Sequence, residues 1–404
     1  MSRCLQDRGV ENVVLERGRV AERWRSERWD SLGLLTPNWQ SRLPGFRYAG
    51  PDPDGYMTMP EVIAFLEGYA RSFSAPVEEN TTVLRVEPAR EGFRVETDRG
   101  RWSSANVVIA TGYSDVPFVP RFGARLSAHI VQLTPSRYRN PQSLPEGGVL
   151  VVGASSSGIQ LADEIHRSGR PVTLAVGRHT RMPRRYRGRD ILWWLDRMGI
   201  FDERIADFRD EERSRRQPSL QLVGRADRGS LDLPGLEAAG IRLVGKALDA
   251  DRGRLWFADD LIAYTAAADV KLASLLARID EFVAREGMSR RVDDPEPFVP
   301  FQWPAPAPTE LDLEASGIRA VVWATGFHRH YPWLKLPVLD GRGEIRHRGG
   351  VTDVEGLYVL GLQFLRRRKS SFIDGVGDDA AELTEHLMSR RLTCRESSIA
   401  PALP

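Results

Sequence analysis

An unbroken apolar run, Val149 to Val152, ends at Gly153 and gives way to apolar positions at helical spacing, Ile159, Ala162 and Ile165. A strand apolar on both faces belongs inside a parallel sheet. A second such run, Val172 to Val176, follows, so the order is strand, glycine turn, helix, strand: a βαβ unit. Two further apolar strands, Val107–Ile109 and Val321–Trp323, each run into the same tripeptide, Ala110-Thr111-Gly112 and Ala324-Thr325-Gly326. The chain opens with a short helix carrying Cys4 and Leu5, closed by Gly9, and then a strand, Val13–Leu15, ending at Glu16. Between these lie alternating segments, Thr82–Glu87, Gly92–Thr97 and Gly100–Trp102, with the period of antiparallel strands. Glu61–Ser72 reads as an amphipathic helix with Val62, Phe65, Leu66 and Tyr69 on one face. Ala268–Glu286 reads likewise, through Leu272, Leu275, Leu276, Ile279, Phe282 and Val283, as core or as an oligomer contact in a homodimer. Ile191–Leu195 is a buried helix face or the lining of a substrate channel.

The expected fold is α/β, with two Rossmann-like dinucleotide-binding domains of three-layer type. Gly153 permits a sharp turn off its strand, and Gly158 lets the helix pack close. The free N–H groups at the helix start then face a pyrophosphate. About 20 residues on, where a carboxylate would take a ribose 2′-OH, stands Arg178, with His179 and Arg181 beside it. A guanidinium favours a 2′-phosphate, so the expected cofactor here is NADP(H). Glu16, by contrast, stands where a Rossmann unit holds an adenosine ribose, but no first strand or glycine turn precedes it. A central strand and its turn, roughly 15–20 residues, are therefore expected upstream of Met1. The rival reading is a chain that binds no flavin in this half.

The 404 residues carry a net charge of +2, with 41% hydrophobic and 28% charged residues, values of a globular protein without a field for nucleic acid or anionic lipid. Four lysines stand against 53 arginines, which reflects coding bias more than function. Cys4 and Cys394 form neither a dithiol motif nor a metal-ligand spacing, so disulfide-reductase chemistry and a metal site are not expected. With no apolar run of membrane-span length and no signal-peptide pattern, a cytoplasmic enzyme is expected.

The segment from Trp24 to Pro37, Glu16, the two Ala-Thr-Gly strings, Gly153–Gly158, and Gly356–Leu362 with Ser370–Ala380 together resemble the class B flavin-dependent monooxygenases. The likeness is to the flavin-containing monooxygenase and YUCCA-like group, and within it to bacterial CzcO-type flavoproteins. It implies an FAD domain, residues 1–145 and 316–404, interrupted by an NADP domain, residues 146–315. It also implies hydride transfer from NADPH to FAD and reaction of the reduced flavin with O₂ and a small lipophilic or heteroatom-bearing substrate. Carried onto this sequence, Glu16 holds the FAD ribose and Val83 meets the adenine. Trp24, Trp29 and Thr36 lie along the flavin, and Asn38 steadies a flavin peroxide. Ser155, Ser156 and Ser157 meet the NADP pyrophosphate. Gln363 and Ser371 to Asp374 approach the ribityl or pyrimidine side. His129 is a candidate for orienting the cofactors between domains, yet the motif around it, Arg121 to His129, departs from the family pattern because Phe122 directly precedes Gly123. Three functions remain open: a monooxygenase, a non-oxygenating NADPH reductase or oxidase, and a flavin-free nucleotide-binding protein.

The basic run Arg181–Asp190 is expected to support the NADP phosphate in part rather than nucleic acid, and Arg366–Lys369 to be a solvated loop or an FAD phosphate contact. Arg209–Gln217 reads as a charged loop, and the proline-rich stretch Pro295–Pro308 as a linker between domains.

Overall fold

The computed structural model describes residues 1–303 and 306–397 as a mixed α/β chain. Its largest sheet has five parallel strands in the order Val131–Leu133, Ile318–Trp323, Gly148–Val152, Val172–Ala175, Arg242–Val244. Alternation along the central strand divides its side chains between two cores. Val149 and Val151 pack with Ile159, Ala162 and Ile165 of the helix Ser156–Arg167. Leu150 and Val152 pack on the other face with Leu255, Phe257 and Leu311. Those three come from an antiparallel sheet, Ala247–Asp251, Arg254–Phe257 and Glu310–Asp312, which forms the third layer.

The boundaries expected near residues 145 and 315 cut through this sheet. Val131–Leu133 and Ile318–Trp323 both belong to it, and Val149 stands in register with Ala320. The resemblance groups Ile318–Trp323 with residues 316–404, apart from Gly148–Val152. Its partner is fixed instead by the apolar surface that Gly148–Val152 has to cover.

The remaining strands form smaller sheets. Val14–Leu15 pairs in parallel with Val77–Glu78, and Val107–Ile109 with Leu357–Val359, with no ladder joining the two pairs among the described residues. Val13 and Val14 stay 38% and 37% exposed, and only Ile109 of the second strand is buried on that side. The antiparallel trio Val83–Pro88, Phe93–Thr97, Gly100–Ser104 is present as expected.

The helix expected from Glu61 begins at Met59, because Thr58 and Glu61 form a reciprocal capping box with Pro60 in the first turn. The long helix runs Leu261–Arg285, seven residues further upstream than its apolar spacing suggested. Its Leu272, Leu276, Ile279, Phe282 and Val283 meet Ile191, Leu192, Trp194 and Leu195, which makes that segment core and not a channel wall. Arg209–Gln217 contains a helical turn, Glu211–Arg215, capped by Asp210. In the proline-rich stretch, Phe301 N–H donates to Asp269 at 2.8 Å and Trp303 Nε1 to Thr265 at 2.9 Å. Pro304 and Ala305 of that stretch, like residues 398–404, lie outside the described residues.

The glycine turn is held by contact. A Cβ built on Gly158 would fall on the Gly153 carbonyl oxygen, so helix and strand approach only because no side chain intervenes. Gly158→Ala is expected to lower unfolding free energy by about 1–3 kcal/mol, measured by chemical denaturation. An unchanged midpoint would mean that the turn relaxes freely.

Candidate functional site

Gly153 has φ +106, a value that leaves the chain free to leave the strand and enter the helix. Ser155 is the N-cap of that helix but makes no side-chain capping bond, so the first N–H groups are not taken by their own cap. Behind the turn, Gln221 Nε2 donates to the Ala154 carbonyl at 2.7 Å and Gln160 Nε2 to the Ser156 carbonyl at 3.0 Å. These bonds fix the turn from its buried side.

The turn opens into a cavity of about 970 Å³. Its walls include Gly153, Ser155, Ser156, Ser157, Arg178, Trp24, Trp29, Thr325, Gly326 and Gln363, which brings residues distant in sequence to one cavity. Leu32, Leu34, Leu35, Phe327, Ile345 and Leu362 supply an apolar side. Arg178 sits exposed at the rim. Thr325 also donates its hydroxyl to the Phe118 carbonyl, and Phe118 N–H returns a bond to Gly326 at 2.9 Å.

Other expected site residues lie elsewhere. Glu16 is half-buried and accepts from Gly18 N–H at 2.9 Å, while its own carbonyl accepts from Thr81 N–H at 2.8 Å, two residues before Val83 in the chain. Ala110, Thr111 and Gly112 end their strand outside the wall, but Tyr113 and Ser114, next in sequence, line it. Thr36 and Ser371 are half-buried outside the wall. Asp374 is engaged by Arg42 at 2.8 and 3.0 Å. Asn38 is buried and gives Nδ2 to the Asp52 carbonyl at 2.9 Å. His179 is also buried, with Nδ1 on the Gly177 carbonyl at 3.0 Å, and burial lowers its pKa. His129 is exposed and away from the wall, and Phe122 near it packs on Trp323 at 5.7 Å.

The basic runs are corrected by their partners. Arg181 pairs with Asp269 at 2.7 Å and Asp232 at 2.9 Å, Arg184 with Asp190 at 2.6 Å, and Arg187 with Asp280 at 2.6 Å. Arg366 and Arg367 pair with Glu382 and Asp379, Arg368 with Glu203, and Lys369 with Asp202 and Asp378. Of the first run only Arg185 and Arg189 lack a carboxylate partner among the described residues, Arg185 donating to the Gly188 carbonyl and Arg189 lying over the Trp193 ring.

Sequence reasoning missed the other wall of the cavity. Arg329 pairs with Glu344 at 2.5 Å, and Arg216 and Arg342 both pair with Glu212. Arg28 and Arg178 line the cavity with no ion pair among the described residues. Arg28 lies over the Trp24 ring at 5.4 Å, and burial lowers its pKa. His347 also lines the cavity and accepts from Gly350 N–H through Nδ1 at 3.3 Å. Burial, reinforced by Arg215, Arg329 and Arg366, pushes its pKa down to about 4. A neutral ring among arginines leaves no periodic signal in a sequence.

A parallel sheet, an uncapped glycine-turn helix and an arginine-rimmed cavity define a dinucleotide-dependent α/β protein. The sequence profile of the pyridine nucleotide-disulphide oxidoreductase family matches residues 1–195. A CzcO-like oxidoreductase of Geobacillus kaustophilus is 33% identical over 379 residues, covering 93% of this chain and 91% of that protein. Indole-3-pyruvate monooxygenase YUCCA6 of Arabidopsis thaliana is 30% identical over 190 residues, 43% of each chain. A flavin-containing monooxygenase from Stenotrophomonas maltophilia shares the fold with a TM-score of 0.62 at 17% identity, covering 94% of this chain and 98% of that one. The chain belongs to the CzcO-type oxidoreductases of the class B flavin monooxygenase group.

FAD and NADP(H) are the cofactors that membership in this family brings. The uncapped helix start and Arg178 fit the pyrophosphate and 2′-phosphate of NADP(H). For FAD the fit is to the ends of the molecule. Glu16, bonded to Thr81 two residues before Val83, suits the adenosine end, and unpartnered buried polar atoms at Asn38, Gln40 and Ser41 suit the flavin end. No second glycine turn opening a helix stands before Glu16 among the described residues.

Because His347 is neutral when folded and titrates near 6.5 when unfolded, unfolding takes up a proton between about pH 6.5 and pH 4. Stability therefore falls as pH drops through that window, with no further loss from this group below it. His347→Asn should show a shallower loss of stability from pH 7 to pH 4.5 than the parent, with His179 and His386 contributing equally to both. Parallel curves would refute a buried neutral ring.

Proposed function

We propose that this chain is an NADPH-dependent FAD oxidoreductase acting as a monooxygenase on a small lipophilic or heteroatom-bearing substrate. Residues 146–315, with strands Val131–Leu133 and Ile318–Trp323 added to their sheet, form the NADP(H) unit. The rest of residues 1–145 and 316–404 forms the FAD unit it interrupts. The observation that carries this reading is that the uncapped helix start and Arg178 open into the same cavity as Trp24, Trp29 and Gln363.

When bound, FAD supplies hydride acceptance from NADPH and the reaction with O₂. The chain's own residues bind, orient and shield. Helix N–H groups beyond Ser155 hold the pyrophosphate, and Arg178 selects the 2′-phosphate with a charge that a 2′-OH does not match. Trp29, Leu32, Leu34 and Leu362 exclude water from the apolar side, which strengthens every polar contact inside it. Arginines outnumber carboxylates in the cavity lining, with Arg28 and Arg178 in no ion pair among the described residues, which suits phosphate-bearing ligands.

A second reading, an NADPH reductase or oxidase without oxygenation, is favoured by two positions. His129 is exposed outside the cavity, and the Asn38 Nδ2 group is tied to the Asp52 carbonyl, which leaves its Oδ1, an acceptor only, as the free end of that amide. Counting product and hydrogen peroxide against NADPH consumed separates the two, with indole-3-pyruvate, named for the plant relative, as one compound in the substrate screen. Product matching NADPH supports the monooxygenase; peroxide matching NADPH for every compound sinks it.

Arg178→Ala should weaken NADPH binding about 10- to 100-fold, the effect of one charge-assisted contact, and NADH binding less than about twofold. Fluorescence titration of both nucleotides reads the ratio. An unchanged preference removes Arg178 from the site.

A further inference from the structure

The turn Asn38–Gln40 and the residue after it hold a concentration of unmet hydrogen-bonding capacity. Asn38 Oδ1, Gln40 Oε1, Gln40 Nε2 and Ser41 Oγ are all buried without a partner. Twelve such side-chain atoms occur among the described residues, so a third of them fall in four consecutive positions. Gln40 is 1% exposed and Ser41 0%, so bulk water does not reach them. Each buried polar group left unpaired costs about 1–3 kcal/mol, and native interiors hold few.

The backbone N–H groups here are all engaged, which argues against a loosely placed loop. Asn38 N–H donates to Gly55 at 2.9 Å, Trp39 N–H to Pro53 at 2.8 Å, Ser41 N–H to Asn38 at 3.0 Å, and Tyr48 N–H to Ser41 at 2.9 Å. Asn38 Nδ2 is anchored on Asp52, and Arg42 clamps the next residue of the chain to Asp374. Just upstream, Leu34 and Leu35 line the large cavity. A rigid turn with engaged backbone N–H groups and incomplete side chains is preorganised for a polar ligand. The glutamine amide offers donors and an acceptor side by side, which matches a group presenting adjacent N–H and C=O.

We propose that Gln40, supported by Ser41 and Asn38, reads the polar pyrimidine edge of the flavin ring. The inference rests on FAD being the cofactor of this chain and assigns the recognition to a side chain outside the expected set, Asn38, Gln363 and Ser371 to Asp374. Gln40 is thus a binding residue whose unmet capacity destabilises the flavin-free protein.

The test uses the full chain and the variant Gln40→Leu, of similar volume, with thermal unfolding followed without and with FAD and the visible spectrum of bound flavin recorded. Two signs are expected together. Without FAD, the variant unfolds about 2–4 °C higher, since an unpaired buried amide has gone. With FAD, its affinity falls about 10-fold or more and the absorption bands of bound flavin shift. A structural partner or a buried water on Gln40 predicts the opposite first sign, a lower melting temperature, with FAD affinity unchanged. Either sign missing overturns the proposal. Should Gln40→Leu fail to fold, Ser41→Ala carries the same pair of expectations. If the parent responds to FAD and the variant matches it, only the assignment to Gln40 fails. If the parent shows neither a melting shift nor bound-flavin absorbance at saturating FAD, the cofactor reading for this chain fails with it.

Discussion

A guanidinium with no exposure to water, that of Arg184, ties the cavity wall to the unit carrying the glycine turn. It donates to the Leu35 carbonyl at 2.8 Å and to Asp190 at 2.6 Å, and lies 4.9 Å over the Tyr56 ring. Tyr56 in turn donates to Asp190 at 2.8 Å, and Asp190 caps the helix Ile191–Arg197 through Leu192 N–H. A buried charge is tolerable only while every partner stays in reach. The wall segment Leu32–Leu35 is therefore held in one position against the second unit. Gly33 and Gly224 confirm how close the approach is, since a Cβ on Gly33 would strike the Gly224 carbonyl and one on Gly224 the Leu34 carbonyl.

The same rule of pairing explains where the positive charge of the site comes from. Most arginines of the two basic runs are spent on internal carboxylates, as with Arg181 on Asp232 and Asp269 or Arg367 on Asp379 and Glu382. Arg28 and Arg178 are left facing the cavity without an ion pair among the described residues. The useful cations are thus single residues and not the dense runs. Neither of the two is held in an ion pair that a ligand phosphate would have to break.

The two Ala-Thr-Gly strings also acquire a common meaning. After each, the chain enters one strand of a short antiparallel pair, Val116–Pro117 with Phe327–His328, which joins the stretches of chain on either side of residues 146–315. Thr325 and Gly326 are in the wall itself, whereas Ala110 to Gly112 act by delivering Tyr113 and Ser114 to it. Similar strings at the ends of strands from different sheets therefore do different work. One forms the surface and the other aims the chain toward it.

Local pattern in the chain was enough for the elements and for the nucleotide turn. The run Val149–Val152, Gly153, Gly158 and Arg178 are read from neighbours within about one βαβ unit, where spacing alone dictates geometry. The helices at Met59–Ser72 and Ser156–Arg167 and the antiparallel trio follow for the same reason, with the Thr58 cap moving one boundary by two residues and the long helix starting seven residues earlier than its spacing indicates. Tertiary structure decided what spacing does not encode. It set the partner of Ile318–Trp323, the fate of each arginine, the burial of His179 and Asn38, and the neutral His347 among three cations. It also isolated Gln40 and Ser41. Whether a polar side chain is satisfied depends on groups brought near by packing, and no periodicity in the sequence records that.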